Sequence, residues 1–299
     1  MSSSSALAAA PSLRVFGLRL APALFVVFWS TGFIGAKLGL PFAGPMSFLF
    51  ARFALVTLLM LAVSLATGAA WPAGWREAGH IAVVGALLQG IYLGGVFISI
   101  AAGVSAGLTA LIVGLQPLLT AALAGAVLGE RVTARQWLGC ILGLVGVALV
   151  VANKLSFDAH HVFGATSAAA ALIGITLGTL YQKRFCSGMD LRSGTVIQNG
   201  VAAAVMLAGV LLFEGMRISG SGTFVFALVW VVLVLSIGAT LLLFMLLRRG
   251  AAAPVTSLFY LVPPVTALMA FLLFGETLGP TALLGMALAV LGVALVNRR

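Results

Sequence analysis

Long apolar runs, cut by single charges or short charged clusters, make up almost the whole chain. A helix needs about 20 mostly apolar residues to cross roughly 30 Å of hydrocarbon, and the charges divide the chain into pieces of that size. Arg19 to Lys37 encloses a first run, and a second lies between Pro45 and Arg76. From Glu77 to Glu130 no Asp, Glu, Lys or Arg occurs. That stretch is too long for one crossing and must turn, with Ala102-Gly103-Val104-Ser105 as the natural place. Arg135 to Lys154 and Asp158 to Lys183 hold the fifth and sixth runs. Arg192 to Glu214, Arg217 to Arg248, Arg249 to Glu276 and Glu276 to Arg298 hold the rest. The strict period-two alternation of a membrane β-barrel is missing. The pattern predicts an all-α, polytopic membrane protein with ten transmembrane helices.

Composition agrees with that reading. Of 299 residues, 62% are hydrophobic and 7% charged, against roughly 25% charged in soluble domains. Mean hydropathy is +1.22. These values exclude an ordinary cytosolic enzyme, a disordered chain and a disulfide scaffold. The net charge of +10 does not point to nucleic acid, because the bases stand as isolated punctuation and form no stripe on a solvated face. Their placement instead gives orientation. With the N-terminus in the cytoplasm, Arg14, Arg19, Arg76, Arg131, Arg135, Lys183, Arg184, Arg192, Arg248, Arg249, Arg298 and Arg299 fall inside. Only Lys37, Lys154 and Arg217 fall outside. Both termini are expected in the cytoplasm. Met1 to Pro11 reads as a mobile tail ahead of an uncleaved first helix. Cys140 falls in the fifth helix and Cys186 in a cytoplasmic loop, so no disulfide is expected.

Comparing the chain with itself is more informative. A shift of about 146 positions brings Leu128-Gly129-Glu130 onto Phe274-Gly275-Glu276, Pro117 onto Pro263 and Gly139 onto Gly285. It also brings Gly146-Val147-Ala148-Leu149-Val150 onto Gly292-Val293-Ala294-Leu295-Val296, and Gly32 onto Gly178. Each half holds an odd number of helices, so the second must enter the membrane from the opposite side. The expected organisation is a cytoplasmic tail at 1–18, a first five-helix repeat at 19–152, an external linker at 153–162 and a second, inverted five-helix repeat at 163–299. Inverted repeats characterise many alternating-access carriers, whose substrate sites lie near the midplane between the halves.

Trp29-Ser30-Thr31-Gly32-Phe33-Ile34-Gly35-Ala36-Lys37, Phe50-Ala51-Arg52-Phe53 and Leu128-Gly129-Glu130-Arg131, with Gly139 through Val150, resemble the EamA family. That family belongs to the drug/metabolite transporter superfamily, and the chain is similar to its bacterial exporters of amino acids and related metabolites. The resemblance implies a ten-helix carrier with cytoplasmic termini. It also implies a central cavity built by helices one to four and six to nine, with helices five and ten at the periphery.

Residues able to carry function stand deep in the spans. Pro117, near the centre of the fourth run, and Pro263 and Pro264, near the centre of the ninth, break backbone hydrogen bonding. They form a symmetric pair of hinge candidates, with a static kink as the competing role. Gln89, Tyr92, Val96 and Ser99 share one helical face. Trp29, Gln116 and Tyr260 also lie mid-span, the last two just before the prolines. Trp29, Gln89, Tyr92, Gln116, Tyr260 and Arg52 are the substrate-contact candidates. Packing and helix-to-helix hydrogen bonding are the alternatives. Arg52 is the only base well inside a span: it either grips a substrate carboxylate with its planar fork or snorkels to the outer interface, and snorkelling is the preferred expectation. Glu130 and Glu276 read as caps of the helices that follow before proton carriers. His80 falls at the cytoplasmic start of the third helix, and His160 and His161 in the external loop.

No metal-ligand spacing, phosphate loop or nucleophile–base pair occurs, so no metal, cofactor or enzymatic activity is expected. No mid-membrane carboxylate is present to favour a lipophilic cation. Amides, hydroxyls and aromatic rings suit a small neutral or zwitterionic solute. The sequence therefore predicts a secondary transporter in a bacterial inner membrane that exports small metabolites, neutral amino acids foremost. A drug exporter of wider specificity is the alternative, and an intramembrane enzyme a weaker one. Oligomeric state is left open.

Overall fold

A computed structural model of the chain describes residues 10–104, 109, 112–129, 131–151, 162–249, 252–274 and 279–297. The expected turn near residue 102 is present, since a helix ends at Ala101 and Gly103 follows with φ +89°. Glu130, Glu276, His160, His161 and the 153–161 linker lie outside the described residues.

Among the described residues the regular structure is helical, apart from one isolated bridge between Ala43 and Ile218. Helix α1 (Ala10–Gly39) and helix α2 (Pro45–Ala66) come first. A continuous helical rod follows over Trp75–Ala101. It consists of α3 (Trp75–Gly85), a π-helical stretch (Ala86–Leu93) and α4 (Gly94–Ala101). Then come α5 (Gln116–Leu128), α6 (Ala134–Val151), α7 (Val162–Phe185) and α8 (Leu191–Gly209). Helix α8 is extended by a π turn to Glu214. A second rod consists of α9 (Gly222–Trp230), a π-helical stretch (Val231–Ala239) and α10 (Thr240–Arg249). Short α11 (Ala252–Ser257), α12 (Val262–Phe274) and α13 (Pro280–Asn297) complete the fold.

Seven of these helical segments are long and apolar enough to cross a membrane. Where the other three spans were expected, the structure has α5, α6 and α13. The surface fits a lipid solvent: Leu58, Leu65, Leu211, Leu212, Phe213 and Leu272 are all at least 64% exposed. Apolar side chains gain nothing from hiding in hydrocarbon, so polar side chains are the ones that turn inward. Ser30, Arg52, Gln89, Gln116, Gln182, Gln198 and Asn199 are accordingly buried.

Two helix pairs give the fold its stiffness. Along α6 and α13, an added methyl at Gly139 would lie 2.7 Å from Gly292 O, and one at Gly146 would lie 2.6 Å from Gly285 O. Only glycine lets two backbones approach that closely. As residue numbers rise on α6 they fall on α13, so the two helices run antiparallel. Helices α2 and α8 do the same, with Met46 against Gly209 and Thr57 facing Gly200.

Each end of that second pair is clasped by loops. At one end the Glu214 carboxylate accepts from Met46 N (2.9 Å), Ser47 N (2.8 Å) and Ser47 Oγ (2.6 Å). These are free donors in the first turn of α2, where Pro45 has no N–H to satisfy. At the other end Asp190 caps α8 by accepting from Arg192 N and also receives Ala70 N at 3.1 Å. The Arg192 guanidinium donates to Asp190 and to Thr67 O.

Helix bounds recur at the shift found in the sequence. Gln116–Leu128 matches Val262–Phe274, Ala134–Val151 matches Pro280–Asn297, and the two π-helical stretches coincide within a residue.

Candidate functional site

The prolines sit differently from an interior kink. Pro117 is in the first turn of α5, and Pro263 and Pro264 are in the first turn of α12. The helix is already interrupted one turn earlier, at Gly114-Leu115 and through the 3-10 turn Leu258–Leu261. A proline at a helix start gives up no hydrogen bond, because that N–H has no intrahelical acceptor anyway. Each proline therefore restarts a broken helix.

Four of the six substrate-contact candidates come together. A slim cavity of about 30 Å³ is lined by Trp29, Arg52, Gln89 and Tyr92, with Val96, Phe97, Leu235 and Thr240 among its other walls. Trp29 and Gly32 come from α1 and Arg52 from α2. Gln89 and Tyr92 come from the first π-helical stretch, and Leu235 from the second. A π turn widens the helix by one residue and is a frequent feature of functional sites. Here it keeps Gln89, Tyr92 and Val96 on the face the helical spacing predicts. Trp29 Nε1 donates to Tyr92 Oη at 3.3 Å, and the two rings stack at 6.3 Å. Phe25 and Phe259 brace the indole from behind, with ring centroids 5.2 and 5.0 Å from it.

Arg52 departs from the snorkelling expectation. It is 1% exposed and lies over the Phe53 ring, with its guanidinium carbon 5.5 Å from the centroid. Its Nε donates to Ser236 Oγ at 2.7 Å, across 184 residues of sequence. A serine inside the second π-helical stretch gives the guanidinium a fixed partner, so it stays in the interior. Ser236 escaped the sequence reading. The signal was there: Ser236 and Thr240 are the only hydroxyl-bearing residues between Phe224 and Leu247, one helical turn apart.

Gln116 and Tyr260 do not line this cavity. Both are fully buried beside the helix breaks, and their amide and hydroxyl atoms have no hydrogen-bond partner among the described residues. Tyr260 packs its ring on Gly143 of α6. Ser99, the last member of the predicted face, instead bonds Thr109 Oγ1 at 3.0 Å.

Other polar residues serve the helix ends. His80 on α3 pairs with the Tyr181 hydroxyl at 2.8 Å and stacks on Phe185 at 4.8 Å, tying α3 to α7. Arg184 donates to Val127 O and Lys183 to Leu247 O, closing helix C-termini as basic residues do. Cys140 and Cys186 are free and buried. Among the described residues no group of His, Cys, Asp and Glu is arranged to hold a metal ion.

The chain is similar to known proteins along nearly its whole length. It is 28% identical over 280 residues to the uncharacterized transporter YvbV of Bacillus subtilis, covering 93% of this chain and 90% of that one. It is 26% identical to the uncharacterized inner membrane transporter YedA of Escherichia coli, covering 95% and 91%. A probable terminal-alkyne amino-acid exporter of Streptantibioticus cattleyicolor is 28% identical, with 92% of each chain covered. One solved crystal structure superposes with a TM-score of 0.76 at 22% identity, over 93% of this chain and 95% of the other; that likeness speaks for the fold. The EamA-like transporter family matches twice, at residues 16–152 and 162–298. This protein thus belongs to the EamA-like transporter family, as a multi-pass membrane protein with one family unit in each half of its chain.

Proposed function

We propose that the protein is a secondary transporter that exports small neutral or zwitterionic metabolites, amino acids foremost, across a bacterial inner membrane by alternating access. The cavity carries this reading. Its walls come from α1, α2, α4 and one π-helical stretch of the first half, and from the matching π-helical stretch and α10 of the second. They offer an amide, a phenol, an indole and a guanidinium in an otherwise apolar setting, which orients a small polar solute without demanding a net charge. The amino-acid export in the name of the Streptantibioticus relative supports the substrate class, and the inner membrane in the name of the Escherichia relative supports the location.

The architecture is read as two inverted five-helix units, 19–152 and 163–299, joined by an external linker at 153–162. The tail, 1–18, and the C-terminus are placed in the cytoplasm. Antiparallel packing of matching helices, α6 with α13 and α2 with α8, supports the inversion, because equivalent helices related by an axis in the membrane plane must run in opposite directions. A volume of about 30 Å³ leaves room for only a water or two, so the cavity must widen to take an amino acid. Pro117, Pro263 and Pro264 mark the hinges. The unpartnered groups of Gln116 and Tyr260 beside them are free to pair in a second arrangement.

The test is counterflow. Purified protein in liposomes loaded with unlabelled neutral amino acids should accumulate the labelled species. Tyr92→Phe, which deprives Trp29 of its acceptor, should slow exchange about tenfold, the worth of roughly 1.4 kcal/mol. Exchange of cationic drugs with none of amino acids would reassign the protein to drug export. No exchange of any solute by folded protein would remove it from transport.

A further inference from the structure

We propose that the cavity recognises its cargo by a carboxylate bound to Arg52, and that an amino group on the cargo is dispensable. The proposal rests on the transport reading above and narrows the cargo to organic acids, of which amino acids are one kind.

The Arg52 guanidinium is held on one side and bare on the other. Its Nε is engaged by Ser236 Oγ, while its Nη1 is buried without a hydrogen-bond partner. Serine is neutral, so it leaves the charge unbalanced. The carboxylates of this chain within the described residues are occupied elsewhere. Glu77 accepts from Ala73 N, Asp190 pairs with Arg192, and Glu214 caps α2. Among the described residues no acidic side chain lines the cavity. A buried cation without a counter-charge is strongly disfavoured unless something supplies one. A guanidinium with a fixed orientation and a free edge presents parallel N–H groups to a two-oxygen acceptor.

Neighbouring groups point the same way. Tyr92 Oη accepts from Trp29 Nε1, which leaves its own O–H to donate. The Gln89 amide lines the same space. Three side chains able to donate therefore line the space a carboxylate would enter. An ammonium finds the reverse. The cavity offers it no anion, and Arg52 repels it, leaving only the faces of Trp29 and Tyr92. A zwitterion is thus held by one end.

Competition at the wild-type carrier tests this without relying on a variant. Proteoliposomes loaded with unlabelled leucine would take up labelled leucine in the presence of unlabelled leucine, isocaproate (the same carbon chain without the amine) or leucinamide. Isocaproate is expected to compete within about threefold of leucine and leucinamide at least about tenfold more weakly, since a hydrogen bond to a charged group exceeds a factor of ten. In Arg52→Gln protein, shown to be folded by its elution and tryptophan fluorescence, the acid and the amide should compete equally. Leucinamide competing as well as leucine at the wild-type carrier, or isocaproate failing to compete, overturns the proposal while leaving transport intact. Absence of exchange with every neutral amino acid tried overturns the transport reading and this proposal together.

Discussion

Glu214 offers a sharp test of how the membrane-spanning pair α2–α8 is held. Its carboxylate accepts three hydrogen bonds at the first turn of α2, two from backbone N–H groups of Met46 and Ser47 and one from the Ser47 hydroxyl. Glu214→Ala removes all three. Loss of a cap costs about 1 kcal/mol, and loss of the negative charge at a helix N-terminus about 0.3–1 kcal/mol more. The hydroxyl retains Gly215 O at 3.3 Å, so it is not orphaned. The total is about 2 kcal/mol, and in a chain of this size that lowers the melting temperature by about 4 °C. Glu214→Gln keeps one acceptor oxygen and forfeits the charge, so it should fall about midway. A thiol-reactive fluorophore reports unfolding in detergent, because Cys140 and Cys186 are free and buried in the folded state. The reasoning fails if the alanine variant melts within about 1 °C of the parent, or if glutamine is as damaging as alanine.

Acid should reveal the opposite clasp. Hydrogen bonds from Arg192 hold the Asp190 carboxyl down at about 2, against about 3.9 in an unfolded chain. A group whose pKa is lower when folded contributes stability that is fully present above about pH 4 and fades as pH falls towards about 2. The melting temperatures of wild-type and Asp190→Asn protein, followed by tryptophan fluorescence, should therefore converge over that range; a constant gap would refute the pairing. In the glycine seam, Gly146→Ala pushes a methyl to 2.6 Å from Gly285 O and should destabilise by about 1–3 kcal/mol. Gly188→Ala, where nothing lies within 4 Å, should leave thermal stability unchanged; equal effects would mean the seam is not closely packed.

Much of the helical architecture was legible because lipid forces it. A backbone in hydrocarbon must bond to itself, so apolar runs between charges became helices, seven of them long and apolar enough to cross a membrane, and Gly103 marked the expected turn. The repeat was legible because matching residues share one shift, which helix bounds then followed. The breaks were read one turn late. A proline is visible in sequence, but the interruption lies before it, where the chain loses helical pairing. The π-helical stretches left no local signature. A choice between i→i+4 and i→i+5 bonding depends on what packs against the helix, and here that is the second half of the chain. Arg52 shows the same limit. Seen alone, a base two turns from a helix end should reach for the interface, and only Ser236, far away in sequence, explains why it stays inside.

A carrier in an energised membrane must also insulate. The cavity is wide enough for a water, and ordered water can relay protons. Each 100 mV of potential drives a proton inward by about 2.3 kcal/mol. The fixed charge of Arg52 lines the space such a water would fill, and bringing a second positive charge next to a guanidinium in a poorly screened interior costs more than such a drive supplies. Cationic residues block protons in water pores by the same repulsion. With no cargo bound, the charge that makes the interior look incomplete is expected to oppose proton leakage. An uncharged residue in place of Arg52 should therefore raise the proton permeability of proteoliposomes, and an unchanged permeability would refute this.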